Sequence, residues 1–129
     1  MLTYLDSSAL VKLVLAERES AALRAALPPG GAHTSSRLSD VEVTRAARRA
    51  GHRDADRAQR VIATLALIPL SDDVLAAARA LEPVALRSLD AIHLASALSL
   101  GNQLDAVVTY DARMLDAARS LGVRTLAPR

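Results

Sequence analysis

Short runs suited to buried strands recur along this chain, and each is followed by a segment of helical length and spacing. Residues 2–5 (Leu-Thr-Tyr-Leu) read as a first strand, 32–34 as a second, 67–70 as a third and 105–109 as a fourth, with a short fifth over 123–126. Between them the spacing predicts helices over 8–17, 19–27, 37–50 and 54–65. Further helices run from the Ser71 cap to a break bracketed by Pro83 and Ser88, over 89–100, and from Tyr110 or Asp111 to Gly122. Leu10, Leu13 and Val14 show the i, i+3, i+4 recurrence of an apolar helical stripe. Strands that alternate with helices are joined by crossovers, so the expected fold is α/β, with a parallel sheet covered by helices on both faces. Four to five strands in a flavodoxin-like order make one three-layer α/β/α domain spanning 1–129. Pro69 suggests an edge position for the third strand. Pro28-Pro29-Gly30-Gly31 is a turn within that domain, and Gly51 suits the left-handed position after the helix that precedes it.

Composition narrows what such a domain can do. Hydrophobic residues make up 51% of the chain and aromatic residues only 2%. The core must therefore be assembled from many small Leu, Val, Ile and Ala contacts. Two Tyr and no Phe or Trp leave no aromatic platform on which single-stranded bases could stack. The absence of Cys excludes disulfides and thiolate metal sites. No apolar run approaches the roughly 20 residues of a membrane span. A basic leader is lacking and Asp6 interrupts the early apolar run, so a cytoplasmic protein is expected. Of the 16 basic residues, 15 are Arg and only Lys12 is Lys. Arg suits phosphate recognition, although GC-rich coding would produce the same bias.

Four carboxylates stand out. In an open parallel sheet, residues just past the strand ends share one edge, where ligands bind near the topological switch point. Asp6 follows the first strand directly and Asp111 follows the fourth by two residues, so adjacency of those strands would bring the two acids together. Asp90 lies in the first turn of an almost wholly apolar helix, and Glu42 sits between Val41 and Val43. A carboxylate in such surroundings costs free energy unless something compensates it. Each acid also has an ordinary structural explanation. Asp6 and Asp111 can be helix caps, Asp90 can be a first-turn acid favoured by the helix dipole, and Glu42 can pair with Arg45. Together they make a shared site the better account. Oxygen ligands without Cys point to a hard cation, Mg²⁺ or Mn²⁺. Clustered carboxylates repel one another without one, so such a site should bind the cation weakly until substrate phosphate oxygens join it.

Four segments carry a resemblance: Tyr4-Leu5-Asp6-Ser7-Ser8-Ala9-Leu10-Val11-Lys12, Ser39-Asp40-Val41-Glu42-Val43-Thr44-Arg45-Ala46, Arg87-Ser88-Leu89-Asp90-Ala91-Ile92-His93-Leu94-Ala95 and Val108-Thr109-Tyr110-Asp111. In this order and spacing they resemble a PIN-domain ribonuclease of the VapC type, the toxin of a type II toxin–antitoxin system. The resemblance implies that Asp6, Glu42, Asp90 and Asp111 form an acidic quartet holding one or two Mg²⁺ or Mn²⁺ ions for RNA phosphodiester hydrolysis. It makes Asp6 and Asp90 the firmest ligands. Asp111 contributes directly or through water, and Glu42 either ligates or orients the attacking water. It implies a hydroxyl near the site, Ser7 or Thr109, whose plainer roles are capping a helix and finishing a strand. Asp116 is a further acid on the last helix, otherwise read as solvated, and His93 receives no role. The implied partners are a cognate antitoxin, an RNA substrate and a second copy in a homodimer or larger toxin–antitoxin assembly. An antitoxin segment would lie in a groove for which Leu10, Leu13, Val14 and Leu38 are candidates, unless they belong to the core.

The densest basic run includes Arg45, Arg48 and Arg49, with Arg53, Arg57 and Arg60. It can bind RNA phosphates, or be a solvated helix pair with Asp54 and Asp56 as partners. Other readings fit less well. A haloacid-dehalogenase phosphatase needs a second acid where Ser8 stands, and a receiver domain needs a late lysine. A non-catalytic PIN-like module and a housekeeping RNA-processing nuclease are the alternatives to a toxin.

Overall fold

The alternation is realised in a computed structural model that describes residues 1–129. Five strands, β1 (Leu2–Leu5), β2 (His33–Ser36), β3 (Ala66–Ile68), β4 (Leu104–Val108) and β5 (Thr125–Leu126), form a single sheet. The helices are α1 (Ser7–Val14), α2 (Ser20–Ala26), α3 (Leu38–Ala50), α4 (His52–Ala63), α5 (Asp72–Ala80), α6 (Ser88–Leu98) and α7 (Ala112–Ser120). All strand pairs are parallel, in the order β3-β2-β1-β4-β5. The expected neighbours β1 and β4 do pair, with Leu5 opposite Val108. In a strict flavodoxin order the third strand would lie beside the first. Here β3 is an edge strand, which suits its three residues and the proline that follows it.

Side-chain alternation assigns each helix to a face. On β1, Leu5 joins a core cluster with Leu10, Val14, Leu23, Val43, Ala47, Ala58, Ile62 and Val108, so α1 to α4 cover that face. Tyr4 and Val107, one residue earlier on each strand, join Leu94, Ala97, Met114 and Ala118 on the opposite face, under α6 and α7. Because both faces are covered, β1 and β4 end in residues that are apolar on both sides, whereas the buried hydroxyls of Thr34 and Ser35 on β2 donate to the carbonyls of Ala66 and Leu5. Leu10 and Val14 are at most 1% exposed and belong to this core, whereas Leu13 and Leu38 are half-buried. The two fully buried residues therefore cannot line a docking groove.

Several ends differ from expectation. Helix α1 stops at Val14, not near 17, because distant groups take its last carbonyls. Arg24 donates to Leu13 O at 3.2 Å and Arg57 to Val14 O at 2.9 Å. Ser35 and Ser36 belong to β2, and Ser35 Oγ donates to Leu5 O at 2.6 Å; only Ser36 turns back, accepting from Leu38 N at 3.1 Å. Gly51 is not left-handed helical: its φ of 157° and ψ of 169° give an extended turn, open to glycine, directly into α4. Ser71 caps α5 as expected, accepting from Val74 N at 3.2 Å. Ser71→Ala is expected to cost about 1 kcal/mol, visible in urea unfolding as a lower midpoint with an unchanged slope.

Candidate functional site

Pairing of Leu5 with Val108 sets the ends of β1 and β4 side by side at the switch point of the sheet. Asp6 N donates to Val108 O at 3.1 Å, which continues the ladder one step beyond β1. The Asp6 carboxylate is 3% exposed and caps α1, its Oδ1 accepting from Ala9 N at 3.0 Å and from Ser8 Oγ at 2.6 Å. Thr109 Oγ1 donates to Oδ2. The expected cap is thus present, but it does not neutralise the group. Burial pushes the Asp6 carboxyl upward, and these donors, with His93 nearby, only partly offset that.

Two hydroxyls stitch the strand ends together. Thr109 Oγ1 also accepts from Asp111 N at 3.1 Å, and Ser8 Oγ accepts from Tyr110 N at 3.0 Å. Thr109 therefore acts on the site as well as finishing its strand. Ser8, absent from the sequence-derived set, has an equal part, and the only trace of it is its place two residues after Asp6. Asp111 caps α7, its Oδ1 accepting from Met114 N at 2.9 Å.

Glu42 projects from α3 with a side chain 27% exposed. It does not pair with Arg45. Its Oε1 accepts from Ser7 Oγ at 2.7 Å and lies 2.7 Å from His93 Nε2. Burial raises the Glu42 carboxyl, but His93 and Ser7 outweigh it and hold the group below its ordinary value. Ser7 is therefore a direct partner of the quartet. Asp90, in the first turn of α6, is shifted the other way, first by partial burial and then by Asp111, Asp6 and Glu42. His93 offsets part of this, and no hydrogen-bond donor is among the groups acting on Asp90.

All four predicted acids therefore converge, from β1, α3, α6 and the end of β4. As the side chains stand, no three His, Asp or Glu groups are close enough together to hold a metal ion. The donor chemistry nevertheless suits a hard cation: carboxylate oxygens only, with like charges acting on Asp90 that nothing in the chain fully cancels. A carboxylate offers about four acceptor sites. Asp6 uses three of them, Glu42 two, Asp111 one and Asp90 none, so each retains capacity to ligate.

Arg45, Arg48 and Arg49 are exposed and by themselves line a cleft of about 360 Å³ on α3. Asp116 is exposed on α7 and lines a cavity of about 890 Å³ with Pro83, Leu86, Arg113 and Leu121, a cavity none of the four acids borders. No helix is long and apolar enough to cross a membrane.

A family model described as PIN domain matches residues 3–120. Ribonuclease VapC46 of Mycobacterium tuberculosis is 46% identical over 125 residues, covering 97% of this chain and 96% of its own length. Ribonuclease VapC47 of the same species is 39% identical over 130 residues, with the same coverage. Among solved structures, a chain from a toxin–antitoxin complex of Klebsiella pneumoniae matches with a TM-score of 0.74 at 23% identity, over 98% of both chains. Mycobacterium tuberculosis VapC20, described as a sarcin-ricin loop cleaving toxin, matches with a TM-score of 0.74 at 17% identity, over 98% of this chain and 99% of its own. At those identities the two structures show likeness of fold alone.

Proposed function

The chain belongs to the PIN-domain family, among its VapC ribonucleases, and from that premise we propose that it is a Mg²⁺- or Mn²⁺-dependent endoribonuclease, the toxin of a toxin–antitoxin pair. The observation that supports the metal-dependent reading is Asp90, in the first turn of α6, whose carboxyl is raised first by partial burial and then by three other acids drawn from separate elements. Asp6, Asp90 and Asp111 would hold the cation, with Glu42 beside them. When bound, the cation supplies charge stabilisation at the phosphoryl oxygens and lowers the pKa of water. The chain's own residues do the rest. Thr109 and Ser8 keep Asp6 and Asp111 in fixed relation. Glu42, with Oε1 engaged by Ser7 and His93, offers Oε2 as acceptor for a proton of the attacking water.

Arg45, Arg48 and Arg49 fit the RNA path. They lie about 4.5, 9 and 10.5 Å further along the α3 axis than Glu42, at about 1.5 Å per residue. Three unpaired guanidinium groups on consecutive turns repel one another, and a phosphodiester would relieve this. The triple Ala variant is expected to raise KM, leave kcat near the parent's and flatten the salt dependence of RNA affinity by up to roughly 2 in log–log slope. An unchanged slope would make these arginines an ordinary solvated surface. A cognate antitoxin, a second copy of the chain and action in the cytoplasm complete the reading. Incubating purified protein and RNA with Mn²⁺, Mg²⁺ or EDTA tests it, and cleavage that continues in EDTA would refute the metal-dependent reading.

A further inference from the structure

His93 is 2% exposed on α6, between the core and the acids. Its Nδ1 lies 2.7 Å from the hydroxyl of Tyr4, whose ring is wholly buried on β1 and meets the imidazole edge-on at 74°. Its Nε2 lies 2.7 Å from Glu42 Oε1 and 3.2 Å from Ser7 Oγ. Three elements of the fold thus meet at one ring.

The hydrogens in this chain can be placed by elimination. An ionised carboxylate only accepts, so Nε2 must carry a hydrogen toward Oε1. The Tyr4 hydroxyl lies 2.7 Å from Nδ1, and in a neutral ring that carries its hydrogen on Nε2 the bare Nδ1 can only accept. Tyr4 therefore donates to Nδ1, and the ring carries its single hydrogen on Nε2. Ser7 supplies a second donor to the same oxygen. Both donors bind Oε1, which leaves Oε2 of Glu42 unpartnered by side chains.

We propose that Tyr4 and His93 are positioning residues, a relay that fixes the imidazole as the Nε2–H tautomer and so holds Glu42 by one oxygen with the other free to act. The sequence offered one clue, His93 three residues after Asp90 on an apolar helix, while its partner Glu42 is 51 positions away.

The tautomer is read directly by ¹⁵N NMR of the imidazoles in metal-free protein, with the His93 signals assigned by their loss in His93→Gln. A protonated Nε2 and a bare Nδ1 are expected in the parent, and Tyr4→Phe should keep that tautomer, which Glu42 still enforces, while moving the Nδ1 signal downfield as its hydrogen bond is lost; an unmoved Nδ1 signal would overturn the relay. An Nδ1–H tautomer, or a parent already averaged, would overturn the relay. The kinetic consequence rests on the ribonuclease reading. His93→Gln, whose amide can donate to Oε1, should keep kcat within about 10-fold of the parent. His93→Leu, of similar bulk, should lose about 10–100-fold at unchanged KM. Equal losses in the two variants, or a loss confined to KM, would refute the positioning role. If His93→Leu does not fold, Tyr4→Phe and the spectra still decide. A parent that cleaves no RNA would sink the ribonuclease reading instead, with the tautomer result still standing.

Discussion

Asp6→Asn is expected to cleave RNA about 10³-fold more slowly than the parent while melting at a higher temperature in EDTA at neutral pH. On the metal-dependent reading proposed above, loss of cleavage follows from removing a ligand of a cation that would contribute several kcal/mol to the transition state, at about 1.36 kcal/mol per factor of ten. The stability gain follows from burial. The Asp6 carboxyl is raised above its ordinary 3.8, so the folded state binds that proton more tightly than the unfolded chain does. Its contribution to stability is fully present below the unfolded value and is lost as pH rises through the folded one. At neutral pH the ionised group is therefore a net cost, and Asn escapes it. Asn retains an oxygen for Ala9 N and Ser8 Oγ, and its amide can donate to Thr109 Oγ1 once that hydroxyl turns. Calorimetry in EDTA from pH 4 to 8 should show the variant's advantage growing with pH. A constant difference, or cleavage at the parent rate, would defeat the assignment.

Mn²⁺ should stabilise the parent strongly and Asp90→Asn weakly. A ligand that binds only the folded state at 100 times its Kd adds about 2.7 kcal/mol, about 10 °C in Tm for a chain of this size. Asp90 feels its acidic neighbours without a hydrogen bond to offset them, so the cation should relieve more repulsion there than at the capped Asp111. Asp90→Asn should also raise the melting temperature in EDTA, because its own raised carboxyl has the same sign as that of Asp6. Thermal melts with stepwise Mn²⁺, paired with cleavage before and after chelation, give both numbers. A parent whose Tm ignores Mn²⁺ and whose cleavage survives EDTA would exclude a metal site at these carboxylates.

How much of this was readable along the chain depends on the range of the forces involved. Tyr4 and Leu5, like Val107 and Val108, alternate between two cores as strand residues must, and the Asp6 and Asp111 caps obey local rules. Convergence of the acids needed only the adjacency of β1 and β4. The end of α1 is set from a distance, since Arg24 and Arg57, from other helices, take its last carbonyls. The position of β3 followed its proline rather than the flavodoxin order. Glu42 has Arg45 within one turn, yet it bonds to a histidine 51 residues away, since a buried donor on α6 faces it across the fold. Pairings of this kind depend on packing, which no window of sequence contains.

The stitch between Asp6 and Thr109 joins residues 103 positions apart. During synthesis, β1 therefore emerges first and waits with one edge open until β4 is made. Contacts of such separation form late, because a long loop must close before they are gained. A ribosome-bound fragment ending before β4 lacks both Thr109 and Asp111. The fold thus contains its own timing: the four carboxylates cannot meet until nearly the last strand is in place.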